Sequence, residues 1–85
     1  MTQPITLYAL STCAHCRKVG ELLTELVGSD EFKHVYVDRL SGDERNTIMR
    51  ELRSWNPQMS FPTTIIGKTV ITGDKEETIR KALKD

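Results

Sequence analysis

Segments with strand-like and helix-like apolar spacing alternate along this 85-residue chain, and their order limits the folds it can adopt. Ile5–Ala9 alternates apolar and less apolar side chains, as strands do. Further on, apolar residues recur three and four positions apart, which predicts a helix; they are Val19, Leu22, Leu23, Leu26 and Val27. Ser11 and Thr12 are cap-type residues and Gly28 is a common helix stop, so this helix should run from near Cys13 to about Val27.

A second strand and a second helix follow. Residues 34–38 (HVYVD) have strand character. Ser41 precedes Glu44 by three positions, the spacing of a capping box at a helix start. The apolar face of that helix should end at Asn56, because the residue before a proline resists helical geometry.

The last third of the chain predicts a hairpin and a third helix. Two β-rich runs, TTII and TVIT, flank Gly67, which is typical of a two-residue turn. Asp74 precedes Glu77 by a cap spacing, and an apolar stripe follows at Ile79, Ala82 and Leu83. The order β-α-β-α-β-β-α predicts an α/β fold. Its first two strands, joined by a helix, should be parallel with a right-handed crossover, and helices should cover both faces of the sheet.

Size and charge exclude several classes of protein. Eighty-five residues allow one domain, residues 1–85, with a modest core. Lys plus Arg equals Asp plus Glu at 12 each, so no net field attracts nucleic acid or anionic lipid. No apolar stretch could cross a membrane, and MTQPITLYAL lacks the basic segment of a secretory signal. We therefore expect a cytoplasmic monomer that binds neither nucleic acid nor membrane.

The two cysteines of the chain, Cys13 and Cys16, stand three positions apart near the start of the first helix. A disulfide between them would close almost no loop and would therefore stabilise the fold little. Residues three apart share a helix face, and the positive end of the helix dipole favours a thiolate. The thiolate is the attacking species in disulfide exchange. We predict that Cys13, nearer the helix start, attacks and that Cys16 resolves the mixed disulfide.

A C-x-x-C motif between a first strand and a first helix resembles the thioredoxin superfamily. The short chain, the order of its elements and SFPTTIIGKTVITG are similar to its glutaredoxin-like branch. The resemblance implies a thioredoxin-like, glutaredoxin-type fold with a four-stranded mixed sheet and three helices. It also implies a thiol–disulfide oxidoreductase that reduces protein or small-molecule disulfides. Pro62 would be the cis-proline beside the dithiol, Phe61 would offer its backbone to the substrate, and Gly73 and Asp74 would lie near the substrate.

The chain differs from many glutathione-using glutaredoxins where that family binds glutathione. Those proteins have a lysine three positions before the first cysteine, where this chain has Leu10. They have two glycines before the last helix, where this chain has Thr72-Gly73. The resemblance implies no bound cofactor. It leaves two electron sources open, glutathione as reductant or co-substrate and thioredoxin reductase.

His15 lies between the cysteines. An imidazolium beside the pair would favour the thiolate over the thiol, so we interpret His15 as a residue that tunes the dithiol. The alternative is an exposed helix residue without such a role.

The second interpretation of the cysteines is metal transfer. TCAHC also resembles the Thr-Cys-x-x-Cys loop of small heavy-metal-transfer domains, which bind soft ions such as Cu(I) through two thiolates. Those domains have the order β-α-β-β-α-β and end in a strand, whereas the end of this chain, DKEETIRKALKD, predicts a helix. A structural zinc site requires four ligands. The chain has only two cysteines and two histidines, and one of these, His15, lies between the cysteines, so we assign no metal ligands.

Overall fold

A computed structural model describes residues 4–84 of the chain. Four strands and three α-helices follow one another in the predicted order β-α-β-α-β-β-α. The strands are β1 (Ile5–Ala9), β2 (Lys33–Tyr36), β3 (Thr63–Ile66) and β4 (Thr69–Thr72), and the helices are α1 (Ala14–Val27), α2 (Gly42–Trp55) and α3 (Glu76–Lys84). No helix within these residues is both long enough and apolar enough to cross a bilayer.

The four strands form one mixed sheet in the order β2-β1-β3-β4. β1 pairs in parallel with β2, as its helical connection predicted, and Ala9 lies opposite Tyr36. β3 is antiparallel to both β1 and β4. β1 is therefore an interior strand, and its C-terminal end lies between the ends of β2 and β3. We call this side of the sheet, formed by strand ends, the sheet edge; the loop that leads to the cysteines starts there.

Different helices bury the two faces of the sheet, as expected. Because side chains alternate along a strand, Leu7 packs under α1 and α3 while Tyr8 packs under α2. The first face is formed by Ile5, Leu7, Ala9, Cys16, Val19, Leu22, Leu23, Ile66, Ile71 and Ile79. The second is formed by Tyr8, Val35, Val37, Ile48, Leu52 and Ile65. Cys16 is thus a core residue of the α1 face.

The predicted bounds of α1, from near Cys13 to about Val27, are confirmed, but neither of the predicted cap-type residues caps the helix. The N-cap is Cys13 itself, and neither Ser11 nor Thr12 caps the helix. Ser11 instead directs its hydroxyl to Asp38. The second strand is also shorter than residues 34–38, because Val37–Arg39 form a tight 3₁₀ turn after β2.

The predicted N-cap position of α2 is confirmed but its capping box is not, and the cap predicted for α3 is wrong. Ser41 is the N-cap of α2, but its side chain makes no capping hydrogen bond, so the capping box does not form. Gly42 has a φ of 62°, outside the helical range, and this turns the start of α2 away from the geometry that the box requires. α3 begins at Glu76, and the first helical bond runs from the Ile79 N–H to the Lys75 carbonyl. Asp74 therefore lies outside the helix.

Candidate active site

Cys13 occupies the N-cap of α1. Its backbone is extended, with φ −95° and ψ 118°, and its Sγ accepts the backbone N–H of Cys16 at 3.2 Å. The first N–H groups of a helix have no partner within the helix, and the Cys13 sulfur satisfies one of them. The aligned peptide dipoles make this end of α1 positive, so the sulfur lies where negative charge is stabilised.

The two cysteines are free thiols with different environments. Cys13 is half-buried, whereas Cys16 is only 1% exposed and packs in the core of the α1 face. Burial is the main reason that the pKa of the Cys16 thiol is raised to about 12, and a side-chain hydrogen bond with Cys13 adds to the effect. Cys16 is therefore protonated at neutral pH, and Cys13 is the sulfur of the pair that a molecule in solution can reach.

The loop between β1 and Cys13 is fastened to the turn after β2. The Cys13 N–H donates to the Leu10 carbonyl at 3.3 Å. The backbone N–H of Ser11 donates to Asp38 Oδ1 at 3.0 Å and its hydroxyl donates to Oδ2 at 2.5 Å. Both bonds hold the pKa of the Asp38 carboxyl below its usual value, and the bond from the Ser11 hydroxyl has the larger effect.

Asp38 was not among the predicted site residues, although the sequence contains a signal for it. It follows a strand parallel to β1, and the ends of adjacent parallel strands meet at one edge of a sheet. A polar residue just after β2 therefore lies beside the loop that follows β1. The bonds to Ser11 confirm that neighbourhood.

The Phe61–Pro62 peptide bond is cis, as predicted. Pro62 is buried directly before β3, whose Thr63 lies opposite Tyr8 of β1. The proline therefore lies at the same sheet edge as the loop of the two cysteines. Phe61 is half-buried and contacts the core clusters on both faces of the sheet.

The turn after β4 connects the cis-proline with the first turns of α1. The Gly73 N–H donates to the Pro62 carbonyl at 2.9 Å. Asp74 Oδ2 lies 3.5 Å from His15 Nδ1 and 3.4 Å from Lys18 Nζ. The structure thus gathers the predicted residues around the start of α1, in a continuous series of contacts from Pro62 through Gly73 and Asp74 to His15.

Gly73 and the exposed pairs of Asp74 have different physical roles. Gly73 has a φ of 85°, a conformation that other residues rarely adopt, and a Cβ there would meet nothing within 4 Å. Glycine is therefore favoured at position 73 by the positive φ of the backbone and not by a lack of room for a side chain. His15 and Lys18 are each 72% exposed, so their attraction to Asp74 orients side chains but adds little stability.

The fold separates the two interpretations of the cysteine pair. Metal-transfer domains were expected to end in a strand, whereas this chain ends with α3 after a β3–β4 hairpin. The observed architecture is the one expected for a glutaredoxin-type fold.

Comparison with known proteins yields one family and a consistent set of structures. A family model described as Glutaredoxin matches residues 5–71. No curated protein sequence matches the chain significantly.

Three solved structures illustrate the likeness. The methanoredoxin of Methanosarcina acetivorans is 41% identical with a TM-score of 0.89, and the match covers 99% of this chain and 87% of that one. The glutaredoxin of Methanosarcina mazei Go1 is 46% identical with a TM-score of 0.85, over 98% and 80%. The glutaredoxin grx-1 of Archaeoglobus fulgidus is 26% identical with a TM-score of 0.87, over 98% and 88%.

Proposed function

This chain belongs to the glutaredoxin family, and we propose that it reduces protein or small-molecule disulfides through Cys13 and Cys16. One observation carries the proposal. A reachable Cys13 sulfur at the positive end of α1 accepts the N–H of Cys16, whose own thiol is buried one helical turn further on. This arrangement gives one sulfur for attack and a second, protected sulfur to complete the exchange.

The reaction proceeds in two exchanges. The Cys13 thiolate attacks one sulfur of the substrate disulfide, a Cys13–substrate S–S bond forms, and the other substrate sulfur leaves as a thiolate that takes a proton. The Cys16 thiol then gives its proton to the departing substrate sulfur as the Cys16 sulfur attacks Cys13 Sγ, so the Cys13–substrate S–S bond breaks and a Cys13–Cys16 S–S bond forms. The substrate gains two electrons and two protons, and a Cys13–Cys16 disulfide remains.

Substrate would bind along the sheet edge beside Cys13. The cis Phe61–Pro62 bond, the Gly73 N–H bonded to Pro62 and the Asp74 carboxylate lie along that edge. We propose that an extended substrate segment hydrogen-bonds the backbone of Phe61, while Gly73 and Asp74 border the bound chain. An extended segment would satisfy its own backbone groups in this way, as in strand addition to a sheet.

The electron source remains a choice between two. Glutaredoxins use glutathione, which makes it the first candidate here. Leu10 stands where many glutathione-using glutaredoxins have a lysine, so thioredoxin reductase is the second candidate. Neither source requires a prosthetic group on this chain. A reducing compartment such as the cytoplasm suits the chemistry, and this location stays a prediction from the sequence.

A coupled assay on the purified protein tests the proposal. One arm contains glutathione, glutathione reductase and NADPH, a second contains thioredoxin reductase and NADPH, and a third contains dithiothreitol. Each arm uses a disulfide-linked peptide as substrate, with Cys13→Ser as the inactive control. We expect turnover with dithiothreitol and in at least one NADPH arm.

The same protein preparation tests the rival interpretation. The absence of turnover in all three arms, together with tight binding of one Cu(I) per chain, would overturn the oxidoreductase in favour of soft-metal transfer. Turnover that persists in Cys13→Ser would contradict the assignment of the attacking sulfur.

A further inference from the structure

The segment between α2 and β3 has no regular secondary structure, yet it must place the Phe61–Pro62 bond beside the cysteine loop. Asn56, at its start, is only 6% exposed and is one of three buried polar side chains among residues 4–84. A buried amide costs free energy unless its donors and acceptors are paired. The partners of Asn56 therefore show what this side chain organises.

The side-chain amide of Asn56 joins both ends of the segment. Its Oδ1 accepts the Gln58 N–H at 3.2 Å. Its Nδ2 donates to Ser60 Oγ at 3.1 Å and to Thr63 Oγ1 at 3.1 Å. All the hydrogen-bonding atoms of this amide are thus engaged, and they connect the first residue after α2 to the first residue of β3.

The backbone of Asn56 fixes the same turn. Its N–H donates to the Leu52 carbonyl at 2.7 Å and ends α2, while its carbonyl accepts the Met59 N–H at 2.9 Å. Met59 has a φ of 54°, in the left-handed region that non-glycine residues rarely occupy. The Asn56 hydrogen bonds hold Met59 in this conformation, two residues before Phe61.

Thr63 carries the link to the other side of the cis bond. Its Oγ1 accepts from Asn56 and donates to the Ser60 carbonyl at 2.6 Å. Ser60 and Thr63 flank the Phe61–Pro62 pair, so the two residues on either side of the bond are tied to one amide. Within residues 4–84, the hydrogen bonds of this segment leave the backbone of Phe61 without a partner.

We propose that Asn56 is a positioning residue that sets the Phe61 backbone for a peptide substrate, an inference that rests on the proposed disulfide reduction. Asn56 is buried and acts through Ser60 and Thr63 rather than by touching the substrate. It should therefore matter for substrates that bind the Phe61 backbone. It should not matter for disulfides that have no peptide chain.

Steady-state kinetics on two substrates test this division of roles. One substrate is a disulfide-linked peptide, and the other is 4,4′-dithiodipyridine, which has no peptide backbone. Asn56→Ala removes three side-chain hydrogen bonds and Thr63→Val removes two. We expect each variant to raise KM for the peptide about three- to tenfold, the net effect of about one hydrogen bond at the Phe61 backbone. The turnover number with the peptide should not change, and neither should the rate with dithiodipyridine.

The chain offers a matched control in the next residue. Thr63 and Thr64 are both fully buried, but the hydroxyl of Thr64 has no partner among the described residues. Thr64→Val should leave both substrates unaffected, and Thr63→Ser, which keeps the hydroxyl, should restore the peptide KM. Because Asn56 and Thr63 share one hydrogen bond, the loss in the double variant should be smaller than the sum of the two single losses.

The outcomes separate this inference from the proposed function. A wild-type protein that turns over neither substrate would overturn the proposed function and this inference with it. Wild-type turnover with an unchanged peptide KM in Thr63→Val would overturn the positioning role alone, even where Asn56→Ala does not fold. Equal losses on both substrates would also overturn it, because they would indicate general damage to the site.

Discussion

The sulfur of Cys13 lies 3.2 Å from the backbone nitrogen of Cys16, so the residue proposed to attack also caps the helix that carries its partner. The same helix turn leaves Cys13 half-exposed and buries Cys16. Two residues of one type, three positions apart, therefore have different chemistry. Their separation into reachable and protected thiols can be measured directly.

Alkylation should distinguish the two thiols. We expect iodoacetamide to modify Cys13 at neutral pH in the native protein, because the thiolate is the reacting form and Cys13 is reachable. Cys16, whose pKa is raised to about 12, should stay unmodified at neutral pH. Mass spectrometry of the digested protein after labelling at several pH values measures both sites. The unfolded protein, labelled at both cysteines, is the control, and faster native modification of Cys16 would reverse the assignment.

Removal of the second thiol should trap substrate. In Cys16→Ser, a mixed disulfide at Cys13 has no internal thiol to release it. We expect this variant to accumulate disulfide-linked peptide or glutathione adducts at least several-fold above wild type. Non-reducing electrophoresis and intact mass would detect them. Cys13→Ser is the control and should not trap, and equal trapping by both variants would contradict distinct roles.

The link between Ser11 and Asp38 should make stability depend on pH. The pKa of Asp38 is lowered in the folded protein, so its contribution is full above the unfolded value of about 3.9 and is lost as the pH falls through the folded pKa. Asp38→Asn should remove this dependence. The melting temperature should fall between neutral pH and about pH 3 in both proteins. We expect this fall to be smaller in Asp38→Asn than in wild type by on the order of 1–2 °C, a small difference because the Ser11–Asp38 pair is exposed.

An aspartate in a comparable turn provides the control for that measurement. Asp30 is exposed in the short turn Ser29–Glu31, and Asp30→Asn changes the net charge by the same amount as Asp38→Asn. Thermal melts followed by circular dichroism at several pH values compare the two variants. Identical pH dependence in both would mean that the Ser11 hydrogen bonds contribute nothing specific to Asp38.

Local patterns in the sequence predicted the elements of this fold, and long-range partners explain the errors. Apolar spacing located α1, and Asn56 before a proline marked the end of α2. The cap of α1 was wrong because Ser11, a good cap by type, is bound by a residue 27 positions away. No local pattern reports such a partner, so side-chain pairing across elements had to come from the structure.

The site shows the same division. Resemblance to a family placed the cis bond at Pro62 correctly, because its motif is a contiguous stretch of sequence. The sequence predicted that the helix ends at Asn56 because a proline follows it, whereas the role of the Asn56 side chain depends on Thr63, seven positions further on. A sequence shows that an asparagine precedes a proline, but only the folded chain shows which hydroxyl its side chain meets.

His15 should affect the reduction potential of the pair. An imidazolium near Cys13 favours the thiolate and therefore the reduced form, which raises the potential, so His15→Ala should lower it. The Asp74 carboxylate, 3.5 Å from His15 Nδ1, offsets part of that charge, and His15 is 72% exposed. We therefore expect a shift of about 10–30 mV, the equivalent of one pKa unit or less for a two-electron couple.

Equilibration in glutathione redox buffers, with the oxidised fraction read by mass, measures that shift. Wild type and His15→Ala are compared in the same buffers at several pH values. Lys68→Ala is the control, because Lys68 lies in the β3–β4 turn at the opposite edge of the sheet from Cys13. An unchanged potential at every pH would make His15 an exposed helix residue without a tuning role. A potential that rises would mean that His15 favours the disulfide over the thiolate.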